Sequence, residues 1–148
     1  MLSSKAKYGL KAMVHLARRE GEGTILIADI ATAERIPRKF LDVILLELKT
    51  RGLLSSKKGK GGGYALAIPA GSITVGDIVR FLDGPLAPVP CVSRQFYRRC
   101  DDCADESACS VRMVMQDVRD AIANILDNTS LAEMATRRPP DPVLTYEI

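Results

Sequence analysis

Two stretches near the start of the chain have apolar residues at three- and four-residue steps, the spacing of helices buried along one face. Ser3 and Ser4 can cap a first helix over about 5–19, and Pro37 suits the start of another helix over 38–51. A short helix over 27–33 fills the interval between them. The buried face of the helix over 38–51 is expected to comprise Phe40, Leu41, Ile44, Leu45 and Leu48.

A β-hairpin follows these three helices. Residues 53–55 begin one strand, and Tyr64, Leu66 and Ile68 alternate along the returning strand. The tip between them, 57–63, consists only of lysine and glycine. Three helices and a two-stranded hairpin predict a winged helix-turn-helix, a fold that is mainly α with a small β-hairpin.

The second half of the chain has a longer periodic stripe. Thr74 and Ser130 can each cap a helix, the first over 75–82 and the second at the end of the fold. Between them lies a helix whose apolar positions repeat at alternating three- and four-residue steps, which predicts a helix–helix dimer seam. The alternative is that this stripe packs onto the core of its own chain. The stripe comprises Val111, Val114, Val118, Ala121 and Ile125, with Met115 and Ile122 beside them.

These patterns divide the chain into four parts. A winged helix-turn-helix domain covers 1–83, and a cysteine-containing loop rich in proline at its start covers 84–110. The dimerisation helix and a short terminal helix cover 111–136, and a loose tail with three prolines covers 137–148.

The charge of the 148-residue chain is distributed unevenly. Residues 1–67 have thirteen Lys/Arg and six Asp/Glu, a net charge of +7, whereas the remainder has eight and twelve, a net of −4. A basic first half favours a polyanion such as DNA as partner. No apolar run approaches the roughly 20 residues of a membrane span, and no signal-peptide pattern is found, so we expect a cytoplasmic protein.

The basic half contains two candidate DNA contacts. In the predicted recognition helix, Arg38 and Lys39 can reach phosphates or guanine, and Asp42 can accept from a cytosine amino group, with Val43 beside it. The alternative is an ordinary amphipathic helix. At the hairpin tip, glycines interleave with Lys57, Lys58 and Lys60. Glycines allow such a turn to approach a phosphate or a minor groove closely, although a hairpin kept soluble by lysine has the same composition.

All four cysteines, Cys91, Cys100, Cys103 and Cys109, lie within nineteen residues. Thiols gathered in this way indicate a soft-metal or iron–sulphur site in a reducing compartment. Structural zinc is an alternative, but only Cys100 and Cys103 have the spacing of a zinc knuckle. A thiol–disulfide switch is another. Two different kinds of protein fit a cluster site, namely a cluster-controlled regulator and an electron carrier or cluster-transfer protein.

Enzyme motifs are absent from the sequence. The single histidine, His15, falls inside a predicted helix without a nucleophile beside it, and the carboxylates are dispersed. We therefore expect a protein that is not an enzyme.

Several segments together resemble the Rrf-two-type winged-helix regulators, which include IscR-like and NsrR-like proteins. The resemblance covers about residues 1–135, and the combination of a G-G-G-Y wing with downstream cysteines is specific. The segments are residues 4–8 (SKAKY), 28–31 (ADIA), 51–56 (RGLLSS), 61–66 (GGGYAL) and 73–78 (ITVGDI).

The resemblance implies a homodimeric transcription factor, a repressor, that binds an operator dyad in double-stranded DNA. It also implies an iron–sulphur cluster, 2Fe–2S or 4Fe–4S, that reports iron, redox state or nitric oxide. Cys91, Cys103 and Cys109 match the cysteines of the family. The start of the first helix, Ser4, Lys5, Lys7 and Tyr8, is expected to contact DNA together with the recognition helix and the wing.

This sequence departs from the family pattern at the expected ligands and base contacts. Arg112 occupies the position of the ligating histidine of IscR-like proteins, and Lys7 and Tyr8 occupy the region of the ligating aspartate of NsrR-like proteins. Cys100 is then the candidate fourth ligand. At the DNA contacts, Asp42 and Val43 replace a Glu-Gln pair, and Lys58 replaces a wing arginine, which predicts a different operator.

Overall fold

The structure is a computed structural model that describes residues 2–140, and the part of the predicted tail over 141–148 lies outside the described residues. Within 2–140, no helix is both long enough and apolar enough to cross a bilayer. The helices are α1 (Ser4–Ala17), α2 (Ile27–Glu34), α3 (Arg38–Thr50), α4 (Val75–Asp83), α5 (Ser110–Asp127) and α6 (Leu131–Thr136), and the strands are β1 (Leu54–Lys57) and β2 (Gly63–Leu66).

Side-chain caps start three of the helices as the sequence predicts. The hydroxyl of Ser3 accepts a hydrogen bond from the backbone N–H of Ala6 at the start of α1. Thr74 caps α4 and Ser130 caps α6 in the same way, each accepting from the N–H three residues ahead at 3.0 Å. A cap satisfies one of the orphan N–H groups of a helix start and contributes about 1 kcal/mol.

The core lies between α1, α3 and α4. Leu41, Ile44, Leu45 and Leu48 of α3 are buried as predicted, and they pack with Met13 of α1 and Ile78 of α4. The prediction for Phe40 is wrong, because its side chain is 56 % exposed. At 100° per residue, Phe40 lies about 90° from the centre of the buried stripe, at the edge of the helix face.

The hairpin has the predicted antiparallel form, with Leu54 opposite Leu66 and Lys57 opposite Gly63. Ile25 forms an isolated antiparallel bridge with Tyr64 by exchanging two backbone hydrogen bonds with it. A Cβ on Gly63 would lie 2.0 Å from the Ile25 carbonyl oxygen, so only glycine fits there. Ile68 was expected in the returning strand, but it is exposed and lies beyond β2, which ends at Leu66.

The last helix, α6, closes onto the first. Leu131 is completely buried, and its N–H donates to the carbonyl of Ile73 at 2.8 Å. The guanidinium of Arg18 donates to the Ala135 carbonyl at 3.0 Å. As a result, α6 packs into the winged helix-turn-helix core.

The eighteen-residue helix α5 lies largely outside this core. Its only buried residue is Arg119. All of the predicted stripe is exposed except the half-buried Met115, so the alternative that the stripe packs onto its own core is wrong. An ion pair of Arg80 with Asp127, with N–O distances of 2.6 and 2.8 Å, ties the end of α5 to α4.

Candidate nucleic-acid interface and cysteine segment

The N-terminal half of α3 presents an exposed, mixed polar and apolar face. Arg38, Lys39, Asp42 and Val43 all lie on it. The guanidinium of Arg38 is 3.9 Å from the Asp42 carboxylate, and both side chains are more than half exposed. Such a pair is weak in water, so both groups are available to another partner.

Aromatic side chains connect this face to the start of α1. The ring of Tyr8 meets that of Phe40 edge-on, with centroids 6.3 Å apart, and Lys7 Nζ lies 5.8 Å from the centroid of the Tyr8 ring. Ser4 and Lys7 are exposed. Lys5 forms an ion pair with Glu47 at 2.5 Å, a partner that the sequence analysis missed. The structure thus brings Tyr8 and its neighbours next to the exposed end of α3.

The hairpin also approaches α3. The pKa of Tyr64 in β2 is raised, first by burial and then by the negative charge of Asp42. The tip is closed by a hydrogen bond from the Gly62 N–H to the Gly59 carbonyl and is anchored by Thr24, whose hydroxyl donates to the Gly61 carbonyl. The three expected lysines, Lys57, Lys58 and Lys60, are exposed on this turn.

The four cysteines lie in three separate local structures. Cys91 is buried in a 3₁₀ turn, Pro90–Val92. Cys100 and Cys103 belong to one tight turn, in which the Cys103 N–H donates to the Cys100 carbonyl at 3.1 Å. Cys109 is the N-cap of α5, and its Sγ accepts from the backbone N–H of Arg112 at 3.4 Å. None of the four forms a disulfide.

Cys91 is the neighbour that most affects the Cys100 thiol. The pKa of Cys100 is raised, first by its interaction with the Cys91 sulphur, then by partial desolvation and by the neighbouring Asp102 carboxylate and Cys103 sulphur. A raised pKa keeps the Cys100 thiol protonated at neutral pH and lowers its reactivity as a nucleophile.

The donor chemistry of this segment fits a metal, but its arrangement does not. Thiolates ligate both zinc and iron–sulphur clusters. Among residues 2–140, however, no three Cys, His, Asp or Glu side chains come together as a metal ion requires. Cys91, Cys100, Cys103 and Cys109 are close in sequence without converging on one point.

Comparison with known proteins identifies the family. The model of the Rrf2 family, described as an iron-dependent transcriptional regulator, matches residues 2–137. The chain belongs to the Rrf2 family. An HTH-type, rrf2-like transcriptional regulator of Rhodobacter capsulatus is 39 % identical to this Rrf2-family chain over 95 % of both chains.

Solved structures of Rrf2-family relatives agree with this architecture. CymR, the global cysteine regulator of B. subtilis, is 32 % identical, with a TM-score of 0.78 over 94 % of this chain and 98 % of the other. IscR of T. potens is 28 % identical, with a TM-score of 0.72 over 95 % and 93 %. The predicted winged-helix fold is confirmed. The relatives are named as transcriptional regulators, which confirms that the chain is not an enzyme.

Proposed function

We propose that this Rrf2-family chain is a homodimeric, cytoplasmic regulator that binds an operator dyad in double-stranded DNA. In this proposal the chain acts as a repressor, and its cysteine segment controls binding to the operator. The observation that carries the DNA-binding part is the exposed face of α3 beside a cationic wing. A helix after a turn, with a polar exposed N-terminal end, suits a major groove. Exposed lysines on the wing suit the phosphates that flank it.

Each group on α3 has a preferred partner on DNA. Arg38 and Lys39 suit guanine acceptors or phosphates, and Asp42 suits the amino group of cytosine. Val43 and Phe40 are apolar and exposed, which suits contact with thymine methyl groups. Lys5 is already paired with Glu47, so we expect Ser4, Lys7 and Tyr8 to contribute more than Lys5 at the start of α1.

The exposed stripe of α5 is the proposed dimer interface. Several large apolar side chains along one helix face are covered in solution when a second copy packs against them. Two-fold symmetry would then present two α3 helices to half-sites about one turn of DNA apart.

The DNA-binding proposal is tested by selecting duplexes from a random library and measuring the affinity of the recovered sites at several salt concentrations. We expect an inverted repeat. Lys58→Ala should weaken binding and reduce the salt slope by about one unit per wing, because a phosphate contact is lost. Lys49→Ala removes the same charge from the opposite end of α3 and is the matched control. Equal losses in the two variants would contradict the role of the wing.

The signal at the cysteine segment has two main candidate chemistries, an iron–sulphur cluster and a thiol switch. The description of the family as iron-dependent and four clustered thiols support an iron–sulphur cluster. Such a cluster would require a different arrangement of the segment from the one described. Zinc has weaker support, because only Cys100 and Cys103 have its spacing.

The proximity of the Cys91 and Cys100 sulphurs supports a thiol switch instead, although the raised pKa of Cys100 slows attack by that thiol. Hydrogen peroxide would accept two electrons and two protons from these thiols and be reduced to two waters as the disulfide forms. The similarity to CymR, named a global cysteine regulator, is consistent with control through sulphur chemistry.

Anaerobic purification with iron and acid-labile sulphide analysis separates the two chemistries. A cluster predicts both elements in the wild type and their loss in Cys103→Ser. A thiol switch predicts neither element, together with a peroxide-induced disulfide that is lost in Cys100→Ser and retained in Cys103→Ser. Operator binding that is indifferent to iron, sulphide and peroxide would remove the cysteine segment from the proposal.

A further inference from the structure

A small cavity lies between α5 and the segment that contains the first cysteine. Its volume is about 280 Å³. Arg112, Gln116 and Arg119 line it from α5, and Cys91, Arg94 and Tyr97 line it from the facing segment.

The helix contributes these side chains from one face. Positions 112, 116 and 119 follow four- and three-residue steps, so they lie within about 60° of one another around α5. The exposed apolar stripe lies on a different face, centred about 120° away by the same geometry. A second copy seated on the stripe would therefore leave the guanidinium face turned toward its own chain.

Two of the three arginines that line this cavity each have a buried donor without a partner in the described structure. Arg119 is only 8 % exposed, and its Nε–H is buried without a partner in the described structure. The Nε–H of Arg112 is also buried and unpartnered. Buried charged donors without acceptors are costly, so such groups are normally paired with an anion.

Nearby carboxylates balance only part of this charge. Asp120 accepts from Arg119 and lies 3.7 Å from Arg94, but it does not line the cavity. The carboxylate of Glu106 accepts a hydrogen bond from the Tyr97 hydroxyl. Three guanidinium groups, and no carboxylate, line the cavity itself.

We propose that this cavity is a binding site for a small oxyanion, namely a carboxylate, sulfate or phosphate group. Guanidinium groups match the geometry of such anions, and the amide of Gln116 adds a neutral donor. The volume is at the lower end of the roughly 300–1,000 Å³ of small-molecule sites, which suits an anion of a few heavy atoms.

The site joins two parts of the molecule. A bound oxyanion would contact the buried segment around Cys91 on one side and α5 on the other. Binding itself requires neither DNA nor a metal, so it can be measured separately from operator binding, in the cluster-free chain.

Nuclear magnetic resonance of the arginine Nε–H groups tests the site directly. The full-length chain is titrated with sodium sulfate, phosphate or acetate at constant ionic strength, with chloride as the balancing salt. We expect saturable shifts of the Arg112 and Arg119 Nε–H resonances with at least one oxyanion, and the three titrations identify which group binds. Shifts that are linear, or equal for chloride and oxyanions, mean screening only and would overturn the proposal.

A charge-matched pair of variants supplies the control. Arg112→Gln should weaken oxyanion binding about tenfold or more, because it removes charge-assisted hydrogen bonds. Arg98→Gln removes the same charge from an exposed position outside the cavity lining and should leave the affinity unchanged. Equal effects of both variants would contradict the site. If Arg112→Gln fails to fold, the wild-type Nε–H titration still decides.

Discussion

Helices α3 and α5 have the same kind of apolar stripe and opposite surroundings. Leu41, Ile44, Leu45 and Leu48 of α3 are at most 1 % exposed, whereas Val111, Val114 and Ile125 of α5 are more than half exposed. A periodic stripe therefore predicts that a helix face is apolar, and leaves open whether the same chain covers it.

The different burial of the two stripes follows from the position of α6. After α5, the chain returns to α1 through α6, and Leu131 fills the core beside Ile73. Because α6 completes that core, the stripe of α5 is not needed for packing within the chain. The stripe is left available for another surface.

The largest effect should come from the buried stripe. Leu45→Ala removes a fully buried side chain and should reduce the free energy of unfolding by about 2–5 kcal/mol. Urea denaturation at fixed protein concentration measures this change. A loss below about 1 kcal/mol would mean that α3 is not part of a packed core.

A substitution in the exposed stripe of α5 should weaken self-association and leave the fold of the chain unchanged. Val114→Asp places a charge in the proposed seam and should weaken self-association by about a hundredfold or more, because an unpaired buried charge costs several kcal/mol. Light scattering coupled to size-exclusion chromatography reports the mass, and circular dichroism reports the fold. Asn124→Asp adds the same charge on another face of α5 and should remain associated. A folded Val114→Asp protein with unchanged mass would refute the seam.

Local chemistry made much of this fold predictable. Ser3, Thr74 and Ser130 mark helix starts because a cap acts within three residues of its own position. The contact of α6 with α1 was not foreseen, since the bond from Arg18 to Ala135 joins residues far apart in sequence. Periodicity carries no information about such pairings.

The candidate sites were predictable to a smaller extent. Exposure of Arg38, Lys39 and Val43 follows from their positions on the helix wheel. Phe40 was misplaced because an edge position can face either the core or a neighbouring side chain, here Tyr8. Clustering of the thiols in sequence did not determine which of them meet in space, since loop paths depend on tertiary contacts.

The smallest effect should come from the ion pair of Arg80 with Asp127, which ties the end of α5 to α4. Hydrogen bonds from Arg80, opposed by partial burial, lower the pKa of the Asp127 carboxyl. The stabilisation is therefore complete above the ordinary carboxyl pKa of about 4 and is lost as pH falls through the lowered folded value. Because both groups are partly exposed, Asp127→Asn should cost about 1 kcal/mol or less at pH 7.

Thermal unfolding between pH 7 and pH 3 checks this prediction. The difference in Tm between wild type and Asp127→Asn should narrow as the carboxylate of the wild type becomes protonated. A difference that stays constant across this range would show that the ion pair does not stabilise the fold.

Sedimentation equilibrium of the wild-type chain tests most directly whether a second copy covers α5. The account predicts a mass of twice 16.1 kDa at micromolar concentrations, with dissociation only on strong dilution. A mass of 16.1 kDa that persists at tens of micromolar, in protein that is folded, would contradict it.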